Sequence, residues 1–235
     1  MSAIQNIVVL TGAGISAESG LAKFRGPGGL WEGHRVEDVC TPQALAVDPE
    51  LVHRFYDARR VALGTVEPNA AHHALARLDA EWPGELLIVT QNVDDLHERA
   101  GAKRMLHMHG ELLSALCISC GEREEWHGDM PPGSLCTSCG APALRPDIVF
   151  FGEMPYQMER IDAALARADL FVSVGTSGAV YPAAGFVQSA RYHGADTLEL
   201  NLDPSAGSGW FAESRRGPAS ELVPAWVEEV LASDR

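Results

Sequence analysis

The chain has 235 residues, 46% of them hydrophobic, and a formal net charge of -14 from 18 Lys plus Arg against 32 Asp plus Glu. That is enough apolar material for one large core with a small satellite module, and its charge opposes nonspecific nucleic-acid binding while favouring cationic partners such as lysine-rich tails. No run of about 18 apolar residues is present to cross a membrane, and the opening MSAIQNIVVL lacks the basic stretch and cleavage site of an export signal, so a cytoplasmic protein is expected.

Residues 6–10, NIVVL, read as a first strand that runs into the turn TGAGISAESG. Further short apolar runs at 85–90 (ELLIVT), 147–151 (DIVFF), 170–175 (LFVSVG) and 197–202 (TLELNL) read as strands of a parallel sheet covered on both faces. Helical patterns at 70–80, 157–168, 182–193 and 220–232 alternate with them, which predicts a doubly wound, Rossmann-like α/β fold. Two regions break the rhythm. Residues 26–68 open with GPGGLWEG and then look helical; residues 114–145 are rich in Cys, Gly and Pro with little regular pattern. Both are expected to form a smaller inserted lobe, leaving the larger lobe to 1–25, 69–113 and 146–235.

Gly12, Gly14 and Ala17 fit G-x-G-x-x-A directly after a strand, the spacing that lets backbone N–H groups approach a pyrophosphate. The acidic residue usually found about 20 positions later is not evident. Glu37 and Asp38 fall in the inserted region, and NLDP at 201–204 offers Asn201 and Asp203 instead. Cys117-x2-Cys120 and Cys136-x2-Cys139, fifteen residues apart, match a four-cysteine zinc pattern. Four thiolates close a tetrahedral shell, so the metal is expected to be structural. Cys40 stands apart. TQNVDDLHERAG, 90–101, places Gln91, Asn92 and Asp94 at the end of a strand, where α/β sheets bind ligands. MLHMHGEL then supplies His107 and His109; if the segment is extended, both face one side. Histidine has the near-neutral pKa that a general base needs.

These stretches together resemble the sirtuins, Sir2-like NAD-dependent protein deacylases, and most closely the short bacterial members of the desuccinylase-like class. GAGISAESGLAKFRG, TQNVDDLHERAG, HMHGE, the cysteine quartet, RPDIVFFGEMP, VGTS and NLDP occur in the family's order over nearly the whole chain. The resemblance implies NAD across the sheet edge, consumed as a cosubstrate. It places Gly12, Ala13, Gly14, Ser16, Phe24, Arg25 and Trp31 along the cofactor, with Gln91, Asn92, Val93 and Asp94 at the nicotinamide end. It places Gly175, Thr176, Ser177, Asn201, Leu202, Asp203 and Ala219 toward the adenosine. His109 is the implied general base, and one structural zinc is implied. An acyl-lysine peptide is expected against Val149, Phe150, Gly152 and Glu153, adding as a strand.

The same resemblance gives meaning to RFYDARR, 54–60. The desuccinylase-like class carries Y-x-x-R, matched by Tyr56 and Arg59, which would hold the carboxylate of a succinyl or malonyl group by charge-assisted hydrogen bonds. Arg54 and Arg60 are expected to be surface charges. Cys40 stands where similar enzymes usually have alanine, and so would narrow the acyl tunnel. Removal of succinyl, malonyl and some acetyl groups is therefore expected, with nicotinamide, free lysine and 2′-O-acyl-ADP-ribose as products. Three rivals share single features: a dehydrogenase the glycine turn, a nucleic-acid-binding zinc ribbon the cysteines, an ADP-ribosyltransferase the first chemical step.

Overall fold

The computed structural model describes residues 4–21, 30, 31 and 33–233. In chain order the elements are β1 (Asn6–Thr11), α1 (Ala13–Ala17), β2 (Leu30–Trp31), β3 (His34–Arg35), α2 (Val36–Val39), α3 (Pro42–Val47), α4 (Pro49–Leu63), α5 (Ala70–Glu81), β4 (Glu85–Thr90), α6 (Leu96–Ala100), β5 (Met105–His107), β6 (Gly110–Cys117), β7 (Arg123–Glu125), β8 (Leu144–Ile148), α7 (Met158–Leu165), β9 (Leu170–Val174), α8 (Phe186–Tyr192), β10 (Asp196–Asn201), β11 (Glu213–Arg216) and α9 (Ala219–Ser233).

Six strands form one parallel sheet in the order β11-β10-β9-β1-β4-β5. Its central strands are apolar throughout because both faces are covered. Alternate residues of β1 serve different cores. Ile7 and Val9 pack toward α5 and α9 with Leu75, Leu78, Val223 and Trp226. Val8 and Leu10 pack the other way with Phe171 of β9, Ile161 of α7 and Phe186 of α8. The doubly wound Rossmann-like sheet is thus as expected, and both cores fall on the two faces that strand alternation dictates.

The expectation for DIVFF is corrected. Residues 144–148 form β8, which joins an antiparallel three-stranded sheet, β7-β6-β8, rather than the parallel one. The backbone at 149–151 leaves the ladder: Val149 N–H donates to the His109 carbonyl and Phe151 N–H to the Cys40 carbonyl. Residues 114–145 therefore contain more strand than their Cys, Gly and Pro content suggests. Ala219 is likewise the first residue of α9 and not a residue before it.

The helices α2 to α4 gather a third core, in which Val36, Val39, Cys40, Val52, Phe55 and Tyr56 pack with Leu96, Leu112, Ile148 and Phe150. α4 starts where Asp48 caps the Leu51 N–H at 2.9 Å and Pro49 occupies the first turn. Among the described residues, no helix is long and apolar enough to cross a membrane.

Candidate active site

Strand order reverses around β1, which lies between β4 and β9. The carboxyl ends of such strands are where open α/β sheets bind ligands. Here β1, β4, β9 and β10 deliver Gly12, Gln91, Gly175 and Leu202 to the wall of one cavity of about 420 Å³. That volume lies within the range of cofactor and ligand pockets, about 300–1,000 Å³.

The floor is made by two glycine turns in direct contact. Gly12 N–H donates to the Val174 carbonyl at 3.0 Å and Gly14 N–H to the Gly175 carbonyl at 2.8 Å. A Cβ on Gly14 would stand 2.6 Å from the Gly175 Cα. Gly175 itself has φ +63, so both positions require glycine. Backbone meets backbone with no side chain between, and this is what opens the floor to a phosphate-bearing ligand.

A polar network stands behind the floor. Asn92 Nδ2 donates to Ser16 Oγ at 3.0 Å and to the Gly12 carbonyl at 3.3 Å. Asp94 lines the cavity yet is 5% exposed. Burial raises its carboxyl above the usual range, against hydrogen bonds from Ser16 and from the Leu96 N–H. Thr11 Oγ1 meets His97 Nε2 at 3.0 Å, and Ser16 Oγ lies 3.4 Å from His72 Nε2. Sequence reasoning missed this histidine pair, whose rings cross edge to face at 5.0 Å. Spacing alone carries no signal for it.

The two histidines of MLHMHGEL part company. β5 ends at His107, and the chain turns before β6 begins at Gly110. His107 Nδ1 donates to the Asn92 carbonyl at 2.9 Å, and Nε2 sits 2.6 Å from Glu98. Burial alone would lower its pKa, but the Glu98 carboxylate reverses that and lifts it to about 9. His107 is thus a paired cation at neutral pH. His109 lines the cavity instead. Its Nδ1 lies 3.2 Å from the Gln91 carbonyl. A carbonyl only accepts, so Nδ1 carries the proton and Nε2 keeps its lone pair. Burial lowers the pKa of His109, opposed in part by that carbonyl. Of the two, only His109 is neutral and faces the cavity.

The adenosine-side expectations divide. Gly175, Thr176, Ser177, Asn201, Leu202 and Asp203 all line the cavity, and Asn201 Nδ2 donates to the Thr176 carbonyl at 2.7 Å. Ala219 does not line it; the residue is buried in the core under α9. Phe24 and Arg25 lie outside the described residues. Ala13, Trp31 and Val93 line the cavity as expected, as do Val149, Phe150, Gly152 and Glu153.

Arg59 lines the opposite end among Trp31, Cys40, Ala62, Leu112 and Phe150, with its guanidinium 4.6 Å from the Phe55 ring centroid. Ala62, three residues on, was findable by helical spacing; Leu112 and Ile148, from distant strands, were not. Tyr56 is fully buried one layer behind, stacked on Phe150 at 6.1 Å. Its hydroxyl lies against the Cys40 thiol and, among the described residues, makes no hydrogen bond of good geometry. Burial pushes the Cys40 thiol up, so it is a neutral, small apolar wall. Arg54 is exposed as expected. Arg60 is not: it is 5% exposed and ion-paired with Asp57. Its charge suggested solvent, but three hydrogen-bond acceptors surround its guanidinium.

The cysteines meet at the end of the three-stranded sheet. Cys117 and Cys139 Sγ stand 3.7 Å apart and Cys120 and Cys136 Sγ 3.8 Å apart, with all four within 4.8 Å. Ligands about 2.3 Å from a zinc ion at tetrahedral angles stand about 3.8 Å apart. Each knuckle folds alike: Gly121 N–H donates to the Cys117 carbonyl and Gly140 N–H to the Cys136 carbonyl. The four fit a structural zinc and leave no open position for substrate.

Comparison with known proteins agrees with this geometry. A model of the Sir2 family matches residues 12–182. The NAD-dependent protein deacylase of Vibrio vulnificus (strain YJ016) is 57% identical over 231 residues, covering 97% of this chain and 94% of its own. The structure of a Sir2 homolog–NAD complex superposes with a TM-score of 0.89 at 39% identity, covering 98% of this chain and 91% of the other. A Sir2 enzyme holding a deacetylated p53 peptide and 3′-O-acetyl ADP ribose superposes with a TM-score of 0.82 at 30% identity, over 96% and 94%. The family model covers more than half of the chain and the curated relatives nearly all of it, and the chain belongs to the Sir2 family.

Proposed function

We propose that the protein is an NAD-dependent lysine deacylase that prefers acyl groups ending in a carboxylate, namely succinyl and malonyl, and retains some deacetylation. The deacylase class rests on the family and on relatives that carry that name. The acyl preference rests on one observation: the guanidinium of Arg59 stands in an otherwise apolar end of the cavity, with the buried Tyr56 hydroxyl behind it. A carboxylate on the acyl group would meet the Arg59 guanidinium in charge-assisted hydrogen bonds, which a neutral acyl chain cannot form.

When bound, NAD would supply an activated ribose carbon; loss of nicotinamide, transfer of the acyl group to the ribose and uptake of one water would give 2′-O-acyl-ADP-ribose and free lysine. The residues of the chain do the rest. Gly12, Ala13, Gly14, Ser16 and Gly175 to Ser177 would hold the phosphates, with Trp31 on the same cavity wall; the resemblance assigns Phe24 and Arg25 to this part of the cofactor. Gln91, Asn92, Val93 and Asp94 would enclose the nicotinamide end, and Asn201, Leu202 and Asp203 the adenosine end. Asp94, in the wall of the same cavity, would stabilise positive charge developing on the bound ribose. His109, its ring held by the Gln91 carbonyl, would take a proton at Nε2 from a ribose hydroxyl. Val149, Phe150, Gly152 and Glu153 wall the side where the peptide enters. The cleft lies between the larger lobe (1–25, 69–113, 146–235) and the smaller one (26–68, 114–145). Dependence on NAD and on four metal-binding thiolates suits the reducing cytoplasm.

Mass spectrometry on matched acetyl-, malonyl- and succinyl-lysine peptides, with and without NAD, tests the reading. Arg59→Met should lower kcat/KM for the acidic acyl peptides by about tenfold or more relative to acetyl, the loss of one charge-assisted pair. Equal losses on all three would remove the carboxylate clamp.

A further inference from the structure

α4 presents two faces. Val52, Phe55, Tyr56, Arg59 and Ala62 follow helical spacing on the side of the third core and the cavity. His53, Asp57 and Arg60 follow the same spacing on the other side. That second face grips one loop of the zinc module. His53 Nδ1 donates to the Met130 carbonyl at 2.6 Å, and Met130 N–H donates to Asp57 Oδ1 at 3.0 Å. Arg60 Nε donates to the Gly128 carbonyl at 2.8 Å and Nη1 to the Leu112 carbonyl at 3.2 Å, while Nη2 pairs with Asp57. The Met130 side chain is fully buried beside Cys117, Cys136 and Leu144. One residue thus has its side chain in the core of the metal module and both of its peptide groups in the grasp of α4.

We infer that the loop at 128–130 sets the position of the acyl-reading pair, and that His53, Asp57 and Arg60 are positioning residues for acyl selectivity. The inference rests on the proposed role of Tyr56 and Arg59. A guanidinium reads a carboxylate through two parallel hydrogen bonds, so it is sensitive to displacement of its backbone by a fraction of an ångström. An apolar wall that merely contacts a methyl group tolerates the same displacement. The glycine floor lies at the ends of β1 and β9 in the parallel sheet, whereas α4 packs in the third core, so the shift should bear on the acyl end first.

The test uses the full-length, zinc-loaded enzyme with Asp57→Asn, Arg60→Lys and, in parallel, Arg59→Met. Asp57→Asn keeps an acceptor for the Met130 N–H but removes the charge that pairs Arg60. Arg60→Lys keeps the charge but loses the fork. KM and kcat are measured for acetyl-, malonyl- and succinyl-lysine peptides and for NAD, alongside bound zinc and thermal unfolding. Both positioning variants should raise KM for malonyl- and succinyl-lysine by about tenfold, the weight of one or two hydrogen bonds. KM for NAD and kcat/KM for acetyl-lysine should move by less than about threefold, with one equivalent of zinc retained. If Arg59→Met removes the acidic preference while both positioning variants keep it, the grip is overturned and the clamp stands. If Arg59→Met leaves the preference intact, the clamp falls and takes the inference with it. Should Asp57→Asn lose zinc or its cooperative unfolding, Arg60→Lys decides: losses equal across the three acyl peptides in that variant overturn the inference.

Discussion

The two ends of the cavity are built from different materials. The sheet end is peptide backbone: glycine turns in contact, and a histidine held by a carbonyl. The opposite end is side chains, Arg59 and Ala62 from α4, Cys40 from the end of α2 and Phe150, with Tyr56 buried behind them. A Cβ added at Gly14 would stand 2.6 Å from the Gly175 backbone, so that end permits almost no variation. Side chains on a helix can be exchanged one at a time. A reaction held constant by backbone and a substrate range set by side chains is the division this implies.

The largest effect expected is at the sheet end. His109→Tyr should lower kcat by about 10²–10⁴ on every acyl peptide alike, the usual contribution of a general base. Burial lowers the pKa of His109, so the base stays neutral through pH 7. In the parent enzyme, kcat/KM should therefore fall only as pH drops below the ordinary imidazole value. An acyl-dependent loss in His109→Tyr, read by nicotinamide release, would erase the distinction between the two ends.

An intermediate effect concerns stability behind the glycine floor. Burial lowers the pKa of His72 to about 4 and that of His97 well below the ordinary value. Both are neutral in the fold. Above about pH 6.5 they are neutral in the unfolded chain too, and stability is unaffected. As pH falls from about 6.5 toward about 4, the unfolded chain takes up protons that the folded one refuses, and stability is lost at up to about 1.4 kcal/mol per pH unit per histidine. Urea unfolding between pH 7.5 and 5 should show this slope, and His97→Gln should flatten it. A slope unchanged by that substitution would assign the acid sensitivity elsewhere.

The smallest effect belongs to the acyl end. Cys40→Ala removes one sulfur from the cavity wall and should improve succinyl relative to malonyl turnover by about two- to fivefold, within the range of one small apolar group. An unchanged ratio in a competition assay would mean that Cys40 does not gauge chain length.

Legibility in the sequence followed the same division. The glycine turn, the cysteine knuckles and the end of ELLIVT are local arrangements, and each was placed correctly by spacing. The Y-x-x-R pair was legible as spacing on one helix, but not the layering that puts Tyr56 behind the wall. DIVFF showed its apolar character, yet a strand's choice of sheet depends on partners far along the chain, and β8 pairs with β6. Arg60 misled for an instructive reason. A guanidinium signals solvent unless acceptors are supplied, and here Gly128, Leu112 and Asp57 supply them from three separate segments. β11 was not anticipated, being a short edge strand of polar and charged residues.

The support of His109 has one more consequence. Its ring is oriented by a peptide carbonyl, that of Gln91, and the Gln91 N–H is itself bonded to the Thr11 carbonyl at 2.9 Å. Where a carboxylate side chain orients a catalytic imidazole, a single codon change can leave the wrong tautomer. Here every link behind the base is main chain. The proton's address on the ring is thus inherited from the fold, and substitution at Gln91 or Thr11 can alter the pocket's lining without reassigning it.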